Sequence, residues 1–207
     1  MIAAADIVEL GASFFRRGLT FGRTGNLSAV DSDGTIFMTP TGVSLGRLEI
    51  GSLSRLSPSG QHIGGPPPTK EAFLHLAFYR ARPHARAVVH THSTYSVAVS
   101  CLRDVDANNA LPALTAYYAM RVGVLPLLPY HAPGDESLGA VAESAAARHH
   151  ALLLANHGPI VAGTDLSSAA DALEEIEETA KLYLMLHGHA VRPVTDNEAR
   201  RLNGLYR

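Results

Sequence analysis

The sequence predicts an α/β fold in which helices cover both faces of a central sheet of mixed or antiparallel strands. Segments with helical periodicity are interspersed along the chain with short apolar segments typical of strands. Turns of hairpin length separate several of the predicted strands, which favours antiparallel neighbours. The 207 residues are enough for one well-buried domain and few for two, so we expect a single domain over residues 1–207.

The first third of the chain predicts a helix, a hairpin and a loop. Residues 2–18 have a helical pattern that ends at Gly18. Strands at 27–30 and 35–39 flank a turn of Asp, Ser, Asp and Gly, which is a strong hairpin signal. Residues 57–68 are rich in Ser, Gly and Pro, but the apolar pattern resumes directly after them. We therefore interpret 57–68 as a loop within one domain.

The remaining elements follow from the same periodicities. Thr69 is a plausible N-cap for the first of the later helices. Predicted helices cover 69–82, 95–102, 136–148 and 166–188, and predicted strands cover 87–91, 124–129, 151–155 and 160–162.

Composition excludes several classes of function. Seventeen basic against nineteen acidic residues give a net charge of −2, which argues against nucleic-acid binding. No apolar stretch is long enough to span a bilayer, and charges within residues 1–20 argue against a secretory signal. The single cysteine, Cys101, excludes an internal disulfide and fits a reducing cytoplasm. We expect a cytoplasmic protein that acts on a small molecule.

Three histidines and a carboxylate predict a metal site. His90 and His92 end an apolar strand and share one face of it, because residues i and i+2 of a strand point the same way. His157 follows another apolar run, and Glu71 lies at a helix start. Zinc suits these donors best, and manganese or cobalt would also fit. The alternatives are hydrogen-bonded imidazoles and a carboxylate that favours the helix dipole. We interpret six other histidines as solvated side chains: His62, His84, His149, His150, His187 and His189.

Turns rich in Gly and Thr are candidate phosphate sites. They are residues 22–26, residues 39–42, and the Thr69-Lys70 pair at a helix start. Backbone N–H groups in such turns can bind anions, although turns of this composition also occur without that function.

Tyr117 and Tyr118 are candidate proton donors, although adjacent tyrosines more often pack. We interpret Cys101 as a small core residue rather than a nucleophile.

These motifs, in this order, resemble those of the class II aldolase/adducin family. The segments that show the resemblance are Thr24-Gly25-Asn26-Leu27-Ser28, Thr39-Pro40-Thr41-Gly42, Thr69-Lys70-Glu71, Ala87-Val88-Val89-His90-Thr91-His92-Ser93 and Asn156-His157-Gly158. The resemblance covers roughly residues 5–190. It implies a three-layer α/β/α sandwich around a largely antiparallel sheet, assembled as a homotetramer.

The same resemblance implies residue functions. His90, His92 and His157 would bind zinc, and Glu71 would be the acid/base and, when no substrate is bound, a further ligand. Asn26, Thr41, Gly42 and Thr69 match positions that hold a substrate phosphate, and Lys70 stands where the fuculose enzyme of the family has a second serine. Tyr117 and Tyr206 would be counterparts of tyrosines that a neighbouring subunit supplies.

Residues 92–102, 127–130 and 154–159 look most like the four-carbon acid-sugar branch of the family. That branch converts 3-oxo-tetronate 4-phosphate to dihydroxyacetone phosphate and carbon dioxide through a metal-stabilised enediolate. The alternatives are an aldolase of the fuculose 1-phosphate type, a pentose-phosphate epimerase, and a non-catalytic adducin-like binding domain. For acid catalysis we expect a raised pKa at Glu71. Lys70 or Arg121 would orient a substrate carboxylate, or would be ordinary surface charges.

Overall fold

The computed structural model describes residues 2–205 apart from residue 133. The strands are β1 (Asn26–Val30), β2 (Ile36–Met38), β3 (Ser54–Leu56), β4 (His62–Gly64), β5 (Ala87–His90), β6 (Leu127–Leu128), β7 (Ala151–Leu154) and β8 (Gly158–Gly163). The helices are α1 (Ile2–Arg16), α2 (Ala72–Ala81), α3 (Thr94–Ser100), α4 (Ala116–Arg121), α5 (Ser137–Ala146), α6 (Leu166–Met185) and α7 (Asp196–Leu205). In the part of the chain that is described, no helix combines the length and hydrophobicity needed to cross a membrane.

The described strands form one sheet in the order β4-β3-β2-β1-β5-β8-β7-β6. Every neighbouring pair is antiparallel except β6 and β7, which are parallel. The predicted largely antiparallel sheet is therefore confirmed.

Helices pack on both faces of this sheet because alternate residues of the central strands point to opposite sides. In β5, Val89 belongs to the core cluster with residues of α1 and α6, whereas Val88 belongs to the cluster with residues of α2 and α5. In β7, Leu153 belongs to the cluster with α1 and α6, and Leu152 belongs to the cluster with α2 and α5. The predicted three-layer arrangement is confirmed.

Three local predictions are wrong. The expected loop at 57–68 contains β4, which pairs with β3 as an edge hairpin. Its residues His62 and Ile63 are exposed, so the strand has no apolar alternation to reveal it. The helix predicted from Thr69 begins at Ala72, with Glu71 at the N-cap position. Thr69 lies before the helix because residues 67–69 pair with residues 39–41 around an isolated antiparallel bridge. Cys101 is exposed after the end of α3 rather than buried in the core.

Two short helices were not predicted. α4 and α7 lie where the sequence shows no long apolar stripe. The strand predicted at 124–129 is reduced to the two residues of β6, because only these pair with β7.

The topology brings three distant segments to one end of the sheet. His90 ends β5 and is paired with Asn26 at the start of β1 and with Ile160 of β8. The β7–β8 turn, which carries His157, lies at the same end. Side chains from three parts of the sequence therefore meet beside the N-terminus of α2.

Candidate metal centre

Glu71, His90, His92 and His157 form a compact group. One ligand atom from each lies within 4.8 Å of the ligand atoms of all the others. The Nε2 atom of His157 is 3.1 Å from Nε2 of His92 and 3.3 Å from Nε2 of His90. The Glu71 carboxylate lies 3.0 Å from His157 Nε2 and 3.5 Å from His90 Nε2. The structure thus brings together the four side chains that the sequence predicts as ligands.

His90 is fixed in the tautomer that a metal requires. It is fully buried, and its Nδ1 lies 2.8 Å from the carbonyl oxygen of Pro159. A carbonyl can only accept, so Nδ1 carries the proton and donates it. Nε2 is left with its lone pair directed into the cluster. Second-shell bonds of this kind orient metal-binding histidines in proteins.

His157 reaches the cluster because the turn that carries it is unusually tight. Asn156 has a φ of 56°, a left-handed conformation that asparagine tolerates better than most residues. Gly158 follows with a φ of 148°. These two residues place the ring of His157 beside that of His92, with their centroids 4.6 Å apart.

Glu71 is held from the opposite side of the cluster. It is the N-cap of α2, and its Oε2 accepts a hydrogen bond of 2.7 Å from the Asn26 side-chain nitrogen. The second oxygen, Oε1, faces His157. Both carboxylate oxygens are therefore directed by neighbouring groups.

The arrangement fits a metal ion by two tests. Zinc ligands about 2.0–2.1 Å from the ion at tetrahedral angles are separated by about 3.3 Å, close to the 3.3 Å and 3.1 Å that separate His157 Nε2 from His90 Nε2 and His92 Nε2. Burial lowers the pKa of His90 to about 4 and that of His92 to about 3, so both rings are neutral near pH 7 and have a free lone pair.

The expected raised pKa of Glu71 is wrong for this structure. Burial by itself raises the pKa of the carboxyl group, but attraction to His90 and His157 and the hydrogen bonds from His157 and Asn26 outweigh it. The pKa of Glu71 is therefore well below its usual range. Near pH 7 the group is a carboxylate, the form that binds a cation or accepts a proton.

A cavity of about 440 Å³ adjoins the cluster, with Glu71, His92 and His157 in its wall. The residues predicted to bind phosphate also line it, and they are Asn26, Thr41, Gly42, Thr69 and Lys70. The Asn26 side chain is nevertheless occupied on both ends, because its oxygen lies 2.5 Å from His75 Nε2 while its nitrogen bonds to Glu71. One N–H of the Asn26 amide is not used by these two bonds and can be donated to a group in the cavity.

Several other candidates lie elsewhere. Arg121 lines a different cavity and forms ion pairs with Asp171 at 3.1 Å and Glu175 at 3.5 Å, so within its own chain it does not reach the cavity beside the metal cluster. Tyr117 is 59% exposed and its ring lies 5.2 Å from the Arg121 guanidinium, whereas Tyr118 is fully buried in the core. Tyr206 lies outside the described residues.

Arg23, within the predicted phosphate turn at 22–26, also lines this cavity. Sequence reasoning missed three residues near the site: Tyr130 and His131 line the same cavity, and His75 is buried behind Asn26. Only His75 had a usable signal, because it follows Glu71 by four residues on a helix and so lies on the same face.

Comparisons with known proteins agree with this geometry. The sequence profile described as Class II Aldolase and Adducin N-terminal domain matches residues 5–184. The 3-oxo-tetronate 4-phosphate decarboxylase of Pectobacterium atrosepticum is 48% identical over 97% of this chain and 92% of its own. The L-fuculose phosphate aldolase of Escherichia coli K12 is 34% identical over 87% of this chain and 82% of its own. The crystal structure of Escherichia coli YgbL, described as an aldolase/epimerase/decarboxylase, superposes with a TM-score of 0.93 at 42% identity over 97% of both chains.

Proposed function

Since the chain belongs to the Class II Aldolase and Adducin N-terminal domain family, we propose that it is a metal-dependent carbon–carbon lyase. Its reaction is the decarboxylation of 3-oxo-tetronate 4-phosphate to dihydroxyacetone phosphate and carbon dioxide. The relatives that carry this name, at 48% identity over nearly the whole chain, support the substrate. The observation that carries the chemistry is the group of Glu71 and three histidines within 4.8 Å of one another.

His90, His92 and His157 would hold one Zn²⁺ per chain, with Glu71 as a further ligand when no substrate is bound. Manganese and cobalt accept the same donors. The bound dication supplies Lewis-acid charge that stabilises negative charge as it develops on the substrate oxygens, worth several kcal/mol.

Glu71 moves the proton. When the bond between C1 and C2 breaks and carbon dioxide leaves, the electron pair is delocalised toward the C3 carbonyl as an enediolate. Glu71, a carboxylate in the resting site, takes up a proton from solvent and delivers it to C2, which completes dihydroxyacetone phosphate. Its position on the cavity wall and its exposed fraction of 14% give it access to both substrate and solvent.

The phosphate end of the cavity consists of Thr41, Gly42, Thr69 and Lys70. Backbone N–H groups of the turns and the Lys70 ammonium bind the phosphate, and Arg23 adds a second cation in the same wall. Asn26 bonds to Glu71 and His75, and the second N–H of its amide is donated to the phosphate.

The proposal extends to the whole chain. Residues 1–207 form one cytoplasmic domain that assembles as a homotetramer, as the family resemblance implies. In that assembly the exposed Tyr117 of one protomer contributes a proton donor to its neighbour. The fold and the isolated site are compatible with this, since Tyr117 has no place in the cavity of its own chain.

A sugar-phosphate aldolase is the second candidate. Retro-aldol cleavage of a ketose 1-phosphate leaves the same three-carbon enediolate, so the four cluster residues serve either reaction. The 34% identity to L-fuculose phosphate aldolase supports this alternative. A non-catalytic adducin-like domain is disfavoured because all four ligand side chains are present and grouped.

The test is to supply the zinc-loaded protein with 3-oxo-tetronate 4-phosphate and, separately, with fuculose 1-phosphate. We expect dihydroxyacetone phosphate from the first substrate, measured by a coupled assay, and about one zinc per chain by elemental analysis. The double variant His90→Ala/His92→Ala should lose both zinc and activity.

The control is His187→Ala/His189→Ala, which removes two exposed histidines with the same spacing and should change neither. Product from fuculose 1-phosphate alone would replace the decarboxylase with the aldolase, and no product from either would contradict both.

A further inference from the structure

A chain of hydrogen bonds runs away from Glu71 into the space between β1 and α2. Asn26 links Glu71 to His75, at 2.7 Å and 2.5 Å respectively. The other ring nitrogen of His75, Nδ1, lies 2.7 Å from Ser28 Oγ, and that oxygen lies 2.7 Å from the Tyr79 hydroxyl. His75 and Ser28 are fully buried and Asn26 is 5% exposed, so water does not interrupt this sequence of bonds.

The elements position these residues by their ordinary periodicities. Asn26 and Ser28 are two apart on β1 and share one face of the sheet. His75 and Tyr79 are four apart on α2 and lie one turn above another, in line with the N-cap Glu71.

The chemistry of the groups fixes the direction of every bond. A carboxylate only accepts, so Asn26 turns its NH₂ toward Glu71 and its carbonyl toward His75. His75 must then donate from Nε2. Burial lowers the pKa of His75 to about 4, so the ring is neutral near pH 7 and Nδ1 accepts from the Ser28 hydroxyl. Tyr79 then donates to Ser28, and burial raises the pKa of Tyr79 above its usual value, so the phenol keeps its proton.

We propose that His75 is a positioning residue: through Asn26 it holds the Glu71 carboxylate in place at the metal cluster. The inference rests on the proposed metal site. Without a donor at the position of His75 Nε2, the buried Asn26 amide can turn over and place its carbonyl oxygen against the carboxylate. Two acceptors would then face each other, and Glu71 would lose its fixed position beside His90 and His157.

Two variants of His75 separate positioning from mere filling of space. In His75→Gln the amide nitrogen reaches the position of imidazole Nε2 and can still donate to Asn26. In His75→Asn the shorter amide lies near the position of Nδ1, so it can bond Ser28 but not Asn26. Both replace a buried ring by a smaller amide, which makes each the matched control of the other.

The first readout is zinc affinity, measured by competition with a chromophoric chelator in the absence of substrate. We expect His75→Asn to bind zinc about 10- to 100-fold more weakly than the unmodified protein and His75→Gln to lose less than about 3-fold, on the usual cost of second-shell changes. Equal losses in the two variants, or no loss in either, would overturn the proposal.

The second readout needs no variant to fold. Long-range ¹H–¹⁵N spectra of the unmodified metal-free protein report histidine tautomers directly. We expect His75 to carry its proton on Nε2. His90 is an internal reference for the other tautomer, because its Nδ1 carries the proton that is donated to Pro159. A proton on Nδ1 of His75 would reverse the direction of the bonds and sink the inference.

A further pair of variants tests whether loss of any buried hydroxyl gives the same effect. Tyr79→Phe removes the donor to Ser28, whereas Tyr118→Phe removes a buried hydroxyl with no hydrogen-bond partner among the described residues. We expect the His75 signal to shift in Tyr79→Phe and to stay unchanged in Tyr118→Phe, and a shift in both would count against the assigned direction.

These outcomes are distinct from those of the activity assay. A protein that meets all of them but releases no dihydroxyacetone phosphate contradicts the proposed reaction and leaves the function of His75 standing. A protein that turns over substrate but loses zinc equally in His75→Gln and His75→Asn contradicts only the inference.

Discussion

Gly158 allows the β7–β8 turn to lie directly against the backbone that follows β5. A Cβ atom at this position would be 2.3 Å from the carbonyl oxygen of Thr91 and 3.3 Å from the Cα of His92. Both contacts are with backbone, which cannot rotate away as a side chain can. The glycine of the Asn-His-Gly motif is therefore what allows His157 to approach His92.

Gly158→Ala should lower the free energy of unfolding by at least about 2 kcal/mol, because the new methyl group overlaps backbone atoms. It should also weaken zinc binding, because the turn must shift to remove the overlap and this moves His157 away from His92. Urea denaturation and chelator competition measure the two effects.

Gly188→Ala is the control for this prediction. Gly188 also has a positive φ, of 82°, but nothing lies within 4 Å of the position of its Cβ. Gly188→Ala should lower the free energy of unfolding by about 1 kcal/mol, from conformational strain alone, and should leave zinc binding unchanged. If both variants were equally mild, close packing at Gly158 would not be what fixes the turn.

Lys70 places a positive charge at the wall of the cavity beside the metal cluster. It is exposed and lines the cavity beside Thr69 and Gly42. Its charge can bind the phosphate, which every candidate substrate carries, or the carboxylate, which only the acid sugar carries.

Lys70→Met should raise KM for 3-oxo-tetronate 4-phosphate by about 10- to 100-fold with a smaller change in kcat, because a charge-assisted hydrogen bond to the bound substrate is lost. If Lys70 binds the phosphate, inhibition by inorganic phosphate should weaken by a similar factor. Lys181→Met, on α6 and outside the cavity wall, is the control and should change neither. Unaltered phosphate inhibition with a raised KM would instead assign Lys70 to the carboxylate.

At the scale of elements, α6 forms hydrogen bonds with the start of α3, the helix that follows His90 and His92. Glu177 is buried in the middle of α6 and accepts hydrogen bonds from the first turn of α3. The donors are the backbone N–H of Tyr95 at 2.9 Å, and the backbone N–H and hydroxyl of Ser96 at 2.8 and 2.6 Å. Because α3 begins two residues after His92, this contact fixes where the histidine segment leaves the sheet.

Glu177→Gln should cost about 2–3 kcal/mol in the free energy of unfolding, because an amide nitrogen replaces one acceptor oxygen and faces a donor. Zinc affinity should fall as well, since the segment after His92 loses its anchor. Calorimetry and chelator competition test both expectations.

The control for Glu177→Gln is Glu178→Gln, one residue further along the same helix. Its side chain is 68% exposed and pairs only loosely with Lys181, at 4.0 Å. It should change the free energy of unfolding by no more than about 0.5 kcal/mol. Similar losses of unfolding free energy in both variants would mean that the buried hydrogen bonds from Glu177 to α3 do not stabilise the fold more than an exposed carboxylate does.

The period of single elements also indicates the polar residues that lie behind the metal cluster. Asn26 and Ser28 on β1, and Glu71, His75 and Tyr79 along α2, are polar residues that repeat with the period of their element. Each pattern was readable from sequence. That the two polar faces meet was not, because it depends on α2 packing over β1, which is a contact between residues more than forty positions apart.

At the scale of the whole molecule, buried neutral histidine makes stability depend on pH. The folded pKa of His75 is about 4, below the ordinary value of 6.5. Between these values the unfolded chain binds a proton that the folded chain excludes. The free energy of unfolding therefore falls as pH falls through this window and is fully retained above about pH 6.5.

Denaturation of the metal-free protein should show this dependence. The contribution of His75 alone should lower the free energy of unfolding by about 2 kcal/mol between pH 7 and pH 5. His75→Gln, which has no titrating group at this position, should show a shallower dependence by the same amount. Parallel pH profiles for the two proteins would contradict the buried neutral state.

The sequence by itself determined the α/β class, most strands and long helices, and the identity of Glu71, His90, His92 and His157 as a group. These follow from residue type and local period, which act over a few neighbours along the chain. The edge hairpin at β3 and β4, the exposure of Cys101 and the lowered pKa of Glu71 were decided only by the tertiary structure. Each depends on which distant groups surround a residue, and burial, hydrogen bonding and charge act through space rather than along the chain.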